Sequence, residues 1–181
     1  MIIGLTGKFA AGKGTVAAYL MTQGYAYHSL SDILREELAS RDVAEGRETL
    51  TDIGNALRRE GGPSVLADRI AERLADGGDH IVDSIRNPAE VERLREVPGF
   101  FLLGVDADQN LRFERLKHRA RQGDPETFEL FASLEHRETH STDPTSQRLA
   151  ATFALADEVV TNETDLDALH AQVEAVLVAR Q

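Results

Sequence analysis

Short apolar runs alternate with longer stretches in which apolar residues recur every three or four positions. The short runs predict five strands, at residues 2–6, 25–28, 80–85, 100–105 and 158–161. The run at 100–105 is apolar throughout, which is typical of a strand buried on both faces of a parallel sheet. Strands separated by helices in this way predict an α/β fold, with a five-stranded parallel sheet, helices on both faces and right-handed crossovers.

The longer stretches predict helices with recognisable ends. A first helix spans about 13–22, and Gln23-Gly24 ends it. Three further helical patterns precede the third strand and predict a helical insert at about 31–76. Asn87-Pro88 begins the next helix, with asparagine as its N-cap. Later helical patterns lie at 109–139, with an interruption at 123–125, near 149–153, and from about 164.

The composition narrows the class of protein. The chain has 181 residues, no cysteine and a net charge of -11. No linker or shift in composition divides it, so we predict a single domain over residues 1–181. Because there is no signal-peptide pattern and no apolar run of membrane length, we expect a cytoplasmic protein. The negative charge disfavours binding to nucleic acid or to anionic membranes, so we expect a small-molecule partner and a monomer or homodimer.

A glycine-rich segment follows the first strand directly. Gly7, Gly12 and Lys13 match the pattern G-x-x-x-x-G-K, in which backbone N–H groups surround a triphosphate and the lysine reaches its outer oxygens. The following helix directs its positive N-terminal dipole to the same place. The sequence therefore predicts a phosphate-binding loop, the P-loop, with ATP as its ligand. The predicted contacts are Gly7, Ala10, Ala11, Gly12, Lys13, Gly14 and Thr15.

The end of this loop indicates a particular kind of P-loop protein. Gly14 follows Lys13, and the hydroxyl common at that point has moved to Thr15. This G-K-G-T ending resembles adenylate kinases and related nucleoside monophosphate kinases, P-loop NTPases with a helical lid. The resemblance implies ATP and Mg²⁺ as cofactors, with the metal held more through water than in GTPases. It assigns Lys13 to catalysis, and Thr15 and Asp83 to the metal.

The segment at 29–35, with the sequence S-L-S-D-I-L-R, follows the second strand. It resembles the S-T-G-D-x-L-R segment of adenylate kinases, whose arginine grips the phosphate of the acceptor. The resemblance implies that Ser31, Asp32 and Arg35 bind the substrate. The chain also resembles dephospho-coenzyme A kinases, which have Asp-x-Asp here, and whose second aspartate acts on the acceptor hydroxyl. That aspartate falls at Ser31.

Asp83 ends an apolar strand, at the edge where parallel sheets bind their ligands. We predict that it organises Mg²⁺ and faces the P-loop if its strand neighbours the first. The segment at 83–88, D-S-I-R-N-P, is similar to the D-x-x-R-x-P of viral deoxynucleoside monophosphate kinases, which implies that Arg86 binds the acceptor. The helix with Arg47, Arg58 and Arg59 lies where such kinases hold their acceptor, and Arg58 is the substrate residue predicted on it.

A basic run and a final motif complete the predicted site. The run at 112–121 contains Arg112, Arg115, Lys117, Arg119 and Arg121. It resembles the lid of monophosphate kinases, at about 112–140 here, whose arginines close over the transferring phosphoryl group. Arg115 and Arg119 are therefore predicted to be catalytic, with Gly123-Asp124-Pro125 as a hinge. The last strand is similar to the A-D-x-V-x-N ending of small P-loop kinases, which implies that Asn162 contacts the adenine.

These features favour an ATP-dependent kinase that phosphorylates a nucleoside or deoxynucleoside monophosphate. A hydroxyl acceptor needs a base, whereas a phosphate acceptor needs only positioning and charge neutralisation. Ser31 at the position of the base favours the phosphate acceptor. Two alternatives stay open. One is a dephospho-coenzyme A kinase with Asp32 or Asp83 as a substitute base, and the other is a nucleotide-sensing module that binds without turnover.

Overall fold

The computed structural model describes residues 1–75, 77–119, 124–139 and 142–180. The strands are β1 (Ile2–Thr6), β2 (Ala26–Ser29), β3 (His80–Asp83), β4 (Phe100–Asp106) and β5 (Glu158–Thr161). The helices are α1 (Lys13–Thr22), α2 (Leu30–Ser40), α3 (Arg47–Gly61), α4 (Val65–Ala71), α5 (Pro88–Leu94), α6 (Gln109–Arg119), α7 (Phe128–Thr139), α8 (Leu149–Phe153) and α9 (Leu166–Ala179). A short 3₁₀ helix, Glu72–Leu74, follows α4. Within these ranges, no helix has the length and apolar character needed to cross a membrane.

The five strands form one parallel sheet in the order β2-β3-β1-β4-β5. β1 is central, and its Ile3 lies level with Ile81 of β3 and Phe101 of β4. The first and third strands are thus neighbours, which was the condition for Asp83 to face the P-loop. Because all strands run in the same direction, the loops that follow β1, β3 and β4 meet at one edge of the sheet.

Helices cover both faces of the sheet, which confirms the predicted α/β fold. Successive side chains of a strand point to opposite faces. On one face Ile3 packs with Val16 and Leu20 of α1, next to α9. On the other face Ile2 and Val82 pack with helices α2 to α5. The helix that follows the P-loop and the helices of the insert therefore lie on opposite faces.

Helices α6 and α7 have a small apolar cluster of their own. Phe113 and Leu116 of α6 pack against Phe131 of α7, and Phe9 of the P-loop packs at the margin of the cluster. The two helices are also joined by Arg112, whose guanidinium donates to both carboxylate oxygens of Glu135 at 2.7 and 2.9 Å. The predicted lid is thus anchored to the P-loop by apolar contact.

Helix α5 begins with the predicted asparagine cap. The Asn87 side chain accepts the N–H of Ala89, and Glu90 completes a capping box. Glu90 is fully buried, and its carboxylate also accepts hydrogen bonds from Nε and Nη2 of Arg58, at 3.0 and 2.7 Å. This ion pair fixes α3 of the insert to the start of α5, directly after Arg86.

Strand β3 is shorter than the sequence predicts. It ends at Asp83 instead of 85, because Ser84 has a φ of +66° and leaves the extended conformation. The chain beyond this point is still held to β1, because the Thr6 hydroxyl donates to the carbonyl oxygen of Ile85 at 3.1 Å. The early end leaves Asp83 as the last residue of the strand, at the edge of the sheet.

Replacing Glu90 tests the role of the buried ion pair. In Glu90→Ala, Arg58 loses its partner while it remains 3% exposed, and a buried charge without a partner costs about 3–5 kcal/mol of unfolding free energy. Urea unfolding followed by circular dichroism measures the loss. The control is Glu96→Ala on the surface, where the side chain is 71% exposed, and where we expect a change below about 1 kcal/mol. Equal effects in the two variants would contradict this role.

Candidate functional site

The P-loop has backbone conformations that require small residues. Its φ angle is +148° at Gly7, +61° at Ala10 and +111° at Gly12. A Cβ atom on Gly7 would lie 2.2 Å from the carbonyl oxygen of Val105, and one on Gly12 would lie 2.0 Å from Nδ2 of Asn162. Glycine is therefore needed at both positions, for its left-handed backbone and for the close approach of the loop to the strand ends.

The start of α1 and Lys13 together form an anion-binding arrangement. The helix begins at Gly12 without a side-chain cap. The backbone N–H groups of such a helix start carry partial positive charge. Lys13 Nζ donates to the carbonyl oxygens of Gly7 and Lys8 at 2.7 and 3.1 Å, which places the ammonium group across the loop. This donor set fits the phosphates of a nucleotide, with Gly14 and Thr15 in the first helical turn.

Asn162 follows β5 and supports the P-loop. Its Nδ2 donates to the carbonyl oxygen of Ala11 at 3.0 Å, and its Oδ1 and backbone oxygen accept from Arg115 at 3.2 and 2.7 Å. Only 6% of Asn162 is exposed. Both polar atoms of this buried amide bind the protein itself, and the predicted contact of Asn162 with adenine stays a prediction. Asn162 positions the loop and joins it to α6.

Asp83 lies on the sheet face that carries α1. It is two residues after Ile81, which packs with Val16 of that helix, so the two side chains point to the same face. Its Oδ2 accepts the hydroxyl of Tyr27 at 3.1 Å, and its Oδ1 accepts the N–H of Ser84. Burial, and then the charge of Asp83, raise the pKa of Tyr27 to about 12, so the phenol stays protonated at neutral pH and keeps donating.

A cleft lies beside the P-loop, between Phe9 and the helices of the insert. Leucines from α2, α3 and α4 form its apolar part, and three arginines form its polar part. It is lined by Phe9, Leu30, Ser31, Leu34, Arg47, Leu50, Thr51, Arg58, Leu66, Ser84, Arg86 and Gln147. Three predicted substrate residues, Ser31, Arg58 and Arg86, are therefore brought together.

The three predicted residues differ in how they meet the cleft. Arg58 is buried beneath it, with its guanidinium on Glu90. Arg86 is half-buried, and its Nη1 donates to the neutral amide of Gln147 at 3.1 Å. The N–H of Ser31 donates to the Ser29 hydroxyl, which caps α2. Arg86 is thus the predicted arginine in the better position to bind a ligand.

Two predicted substrate residues, Asp32 and Arg35, do not line this cleft. Arg35 donates to Asp32 at 2.7 Å and to Glu45 at 3.0 Å, and its side chain is 45% exposed. The binding of the acceptor by Asp32 and Arg35 stays a prediction. An acidic neighbour three residues earlier on α2, and another on the connection to α3, hold the guanidinium at the surface.

The arginines of the predicted lid also differ in burial and in hydrogen-bond partners. Arg112 is 1% exposed and its guanidinium is paired with Glu135, so it joins α6 to α7. Arg115 binds Asn162, and its Nη1 is buried without a hydrogen-bond partner among the described atoms. Arg119 donates twice to Asp124 at 2.8 Å, and its Cζ lies 4.8 Å from the centre of the Phe9 ring. The predicted Arg121 and the Gly123 of the hinge lie outside the described residues.

The sequence analysis missed two residues of the cleft, Phe9 and Gln147. Phe9 is a large aromatic residue in a loop of otherwise small side chains and lysines, and that contrast was the available signal. Gln147 comes to Arg86 from 61 residues away, and nothing in its local sequence indicates this contact.

The fold and the site define a P-loop protein of the kinase-like fold. A family model described as an AAA domain matches residues 3–138. A UPF0200 protein of Hyperthermus butylicus is 31% identical over 180 residues, which cover 98% of this chain and 93% of that protein. The chain therefore belongs to the AAA domain family and to the UPF0200 family.

Solved structures confirm the fold. TT1252 from Thermus thermophilus matches with a TM-score of 0.66 and 22% identity, over 99% of this chain and 97% of that one. Shikimate kinase from Bacteroides thetaiotaomicron matches with a TM-score of 0.59 and 12% identity, over 99% and 97% of the two chains. At these identities the likeness concerns the arrangement of sheet, P-loop and helices.

Two glycines of the loop form a matched test. Gly7→Ala places a methyl group against the Val105 carbonyl in a left-handed conformation, and should cost about 2–4 kcal/mol of stability together with ATP binding. A Cβ on Gly14 meets nothing within 4 Å, so Gly14→Ala should leave the stability unchanged or slightly higher. Thermal unfolding and ATP titration measure both. Normal ATP binding by Gly7→Ala would contradict the assignment.

Proposed function

We propose that the protein is an ATP- and Mg²⁺-dependent kinase whose acceptor is a nucleoside or deoxynucleoside monophosphate. The observation that carries this proposal is the charge of the cleft beside the P-loop. Its described lining contains three arginines and neither aspartate nor glutamate, in a chain with 31 acidic residues. Glu90 beneath the cleft offsets the charge of Arg58, so Arg47 and Arg86 are the arginines that make the cleft positive. Such a cleft favours an anionic ligand. Its leucines offer apolar surface for the remainder of a nucleotide.

The absence of a carboxylate from the described lining also separates the kinds of acceptor. Transfer to a hydroxyl group needs a base near the acceptor oxygen. Asp32 is engaged with Arg35, and neither Asp32 nor Asp83 is among the described residues that line the cleft. A phosphate acceptor is already anionic, so arginines serve it better than a base does. This comparison favours a monophosphate over dephospho-coenzyme A.

The site residues take their roles from position and charge. Bound ATP and Mg²⁺ would supply the phosphoryl group and part of the charge neutralisation. The P-loop N–H groups and Lys13 hold the phosphate oxygens, and Thr15 and Asp83 are the protein groups for the metal. Among the described residues no three histidine, cysteine or acidic side chains form a metal site. Arg119 neutralises charge on the transferring group.

A screen for transfer tests the proposal. The protein is incubated with ATP, Mg²⁺ and one acceptor at a time, either a nucleoside monophosphate, a deoxynucleoside monophosphate or dephospho-coenzyme A, and release of ADP is measured. We expect at least one monophosphate to stimulate release strongly. If dephospho-coenzyme A is the only acceptor that stimulates ADP release, the protein phosphorylates a hydroxyl group and not a monophosphate. Tight ATP binding with no acceptor-dependent release would identify a nucleotide-sensing module.

The sequence predicts that both Arg86 and Arg35 bind the acceptor, but their replacement should have different effects. In Arg86→Ala the acceptor loses a charge-assisted hydrogen bond, and its KM should rise about 10- to 100-fold with little change in the KM of ATP. Arg35→Ala removes an exposed ion pair and should change both constants less than about threefold. Steady-state kinetics with the acceptor found by the screen measure both variants. A larger rise in the KM of the acceptor in Arg35→Ala than in Arg86→Ala would mean that the acceptor binds at α2.

Lys13→Ala tests the donor site. The lysine side chain contacts loop carbonyls and lies outside the apolar clusters, so the thermal midpoint should change little. Loss of a charged donor to the transferring phosphoryl group should lower kcat by about 100-fold or more. The measurement is ADP release next to a melting curve for the same preparation. A variant with near-normal turnover would exclude the P-loop as the donor site.

A further inference from the structure

Phe9 lies where three parts of the molecule meet. It belongs to the P-loop and lines the cleft. Its ring packs at the margin of the α6 and α7 cluster, 6.5 Å from the ring of Phe131. Its backbone is fixed as well, because its carbonyl oxygen accepts Nη1 of the buried Arg112 at 3.0 Å. The half-exposed ring therefore has a defined position in a loop whose other side chains serve phosphate binding.

Two arginines lie over this one ring. The Cζ of Arg47, the first residue of α3, is 4.4 Å from the ring centre, and the Cζ of Arg119, the last residue of α6, is 4.8 Å from it. Both distances fall within the range of cation–π attraction. Arg47 lines the acceptor cleft, whereas Arg119 belongs to the predicted lid. A single aromatic side chain of the donor loop thus contacts a cation from each of the two parts that flank it.

We propose that Phe9 is a positioning residue that couples acceptor binding to donor binding. Its ring contacts Arg47 at the mouth of the cleft, and it also contacts Arg119, whose guanidinium donates to Asp124. Because both guanidinium groups share one ring, a ligand that immobilises one of them also limits the motion of the ring and of the other, and the second ligand loses less conformational entropy on binding. The inference rests on the proposed function for the identity of the two ligands, but the coupling is a property of binding and needs no turnover.

The proposal requires the ring face and not only apolar bulk at position 9. Phe9→Leu keeps an apolar side chain but removes the π face, whereas Phe9→Tyr keeps the face. Arg180→Ala is the matched control, because Arg180 lies 4.5 Å over the ring of Phe101 in a cation–π contact outside the cleft. A merely structural role of Phe9 would change stability without changing the coupling between ligands.

The test is the affinity for adenosine 5′-monophosphate, measured by calorimetry with and without the Mg²⁺ complex of a non-hydrolysable ATP analogue. In the unmodified protein we expect the analogue to tighten binding of the monophosphate about fivefold or more. In Phe9→Leu the ratio should fall below about twofold, while Phe9→Tyr and Arg180→Ala keep the original ratio. An unchanged ratio in Phe9→Leu, an equal loss in Phe9→Tyr, or no coupling in the unmodified protein would overturn the proposal.

A double-mutant cycle tests the contact itself without any ligand. The unfolding constants of Phe9→Leu, Arg47→Ala and the double variant should deviate from additivity by roughly two- to thirtyfold, the range of a cation–π pair. Phe9→Leu combined with Arg180→Ala should be additive. Additivity of Phe9 with Arg47 would overturn the proposal. If the protein transfers phosphate to no acceptor but still shows coupling that depends on Phe9, the proposed kinase function is refuted and the proposed coupling stands.

Discussion

The close approach of the P-loop to the ends of two strands is the constraint on which the site depends. Gly7 lies against the backbone of Val105 in β4, and Gly12 lies against Asn162 after β5. Neither approach leaves room for a Cβ atom, so the loop conformation is set by the sheet and not by a ligand. The central position of β1 makes this possible, because β4 lies beside it and β5 beside β4. The phosphate-binding loop is therefore preorganised by the fold.

Buried arginines connect the surrounding helices to the P-loop and the strand ends. Arg58 and Arg112 are buried with one glutamate each, and they fix α3 and α6 relative to the P-loop edge. Arg86, Arg47 and Arg119 are less buried, and they contact the amide of Gln147 or the ring of Phe9, with Arg119 also paired to Asp124. The two arginines that pair with a glutamate are thus more buried than these three. The cleft carries positive charge in a protein that is acidic as a whole.

The sequence predicted the local features well, and long-range side-chain contacts poorly. The five strands, the P-loop and the cap at Asn87 follow from periodicity and glycine placement, which act over a few residues. The exposed pairing of Arg35 and the burial of Arg112 depend on carboxylates that the fold brings near. Asn162 was found as a site residue, but its partner, the carbonyl of Ala11, lies 151 positions away. An arginine in a sequence motif therefore shows where a positive charge lies in the sequence, whereas its partner depends on residues that the fold brings near it.

Binding of a bisubstrate analogue tests the central claim most directly, which is that a preorganised donor site and an anionic acceptor site lie side by side. The analogue joins two nucleosides through a chain of five phosphates, and its dissociation constant is compared with that of ATP by calorimetry in the presence of Mg²⁺. If both sites are engaged at once, the analogue should bind about 100-fold more tightly than ATP, because the second contact is intramolecular. Equal affinities would contradict the account, since they would mean that the cleft does not accept a nucleotide beside the P-loop.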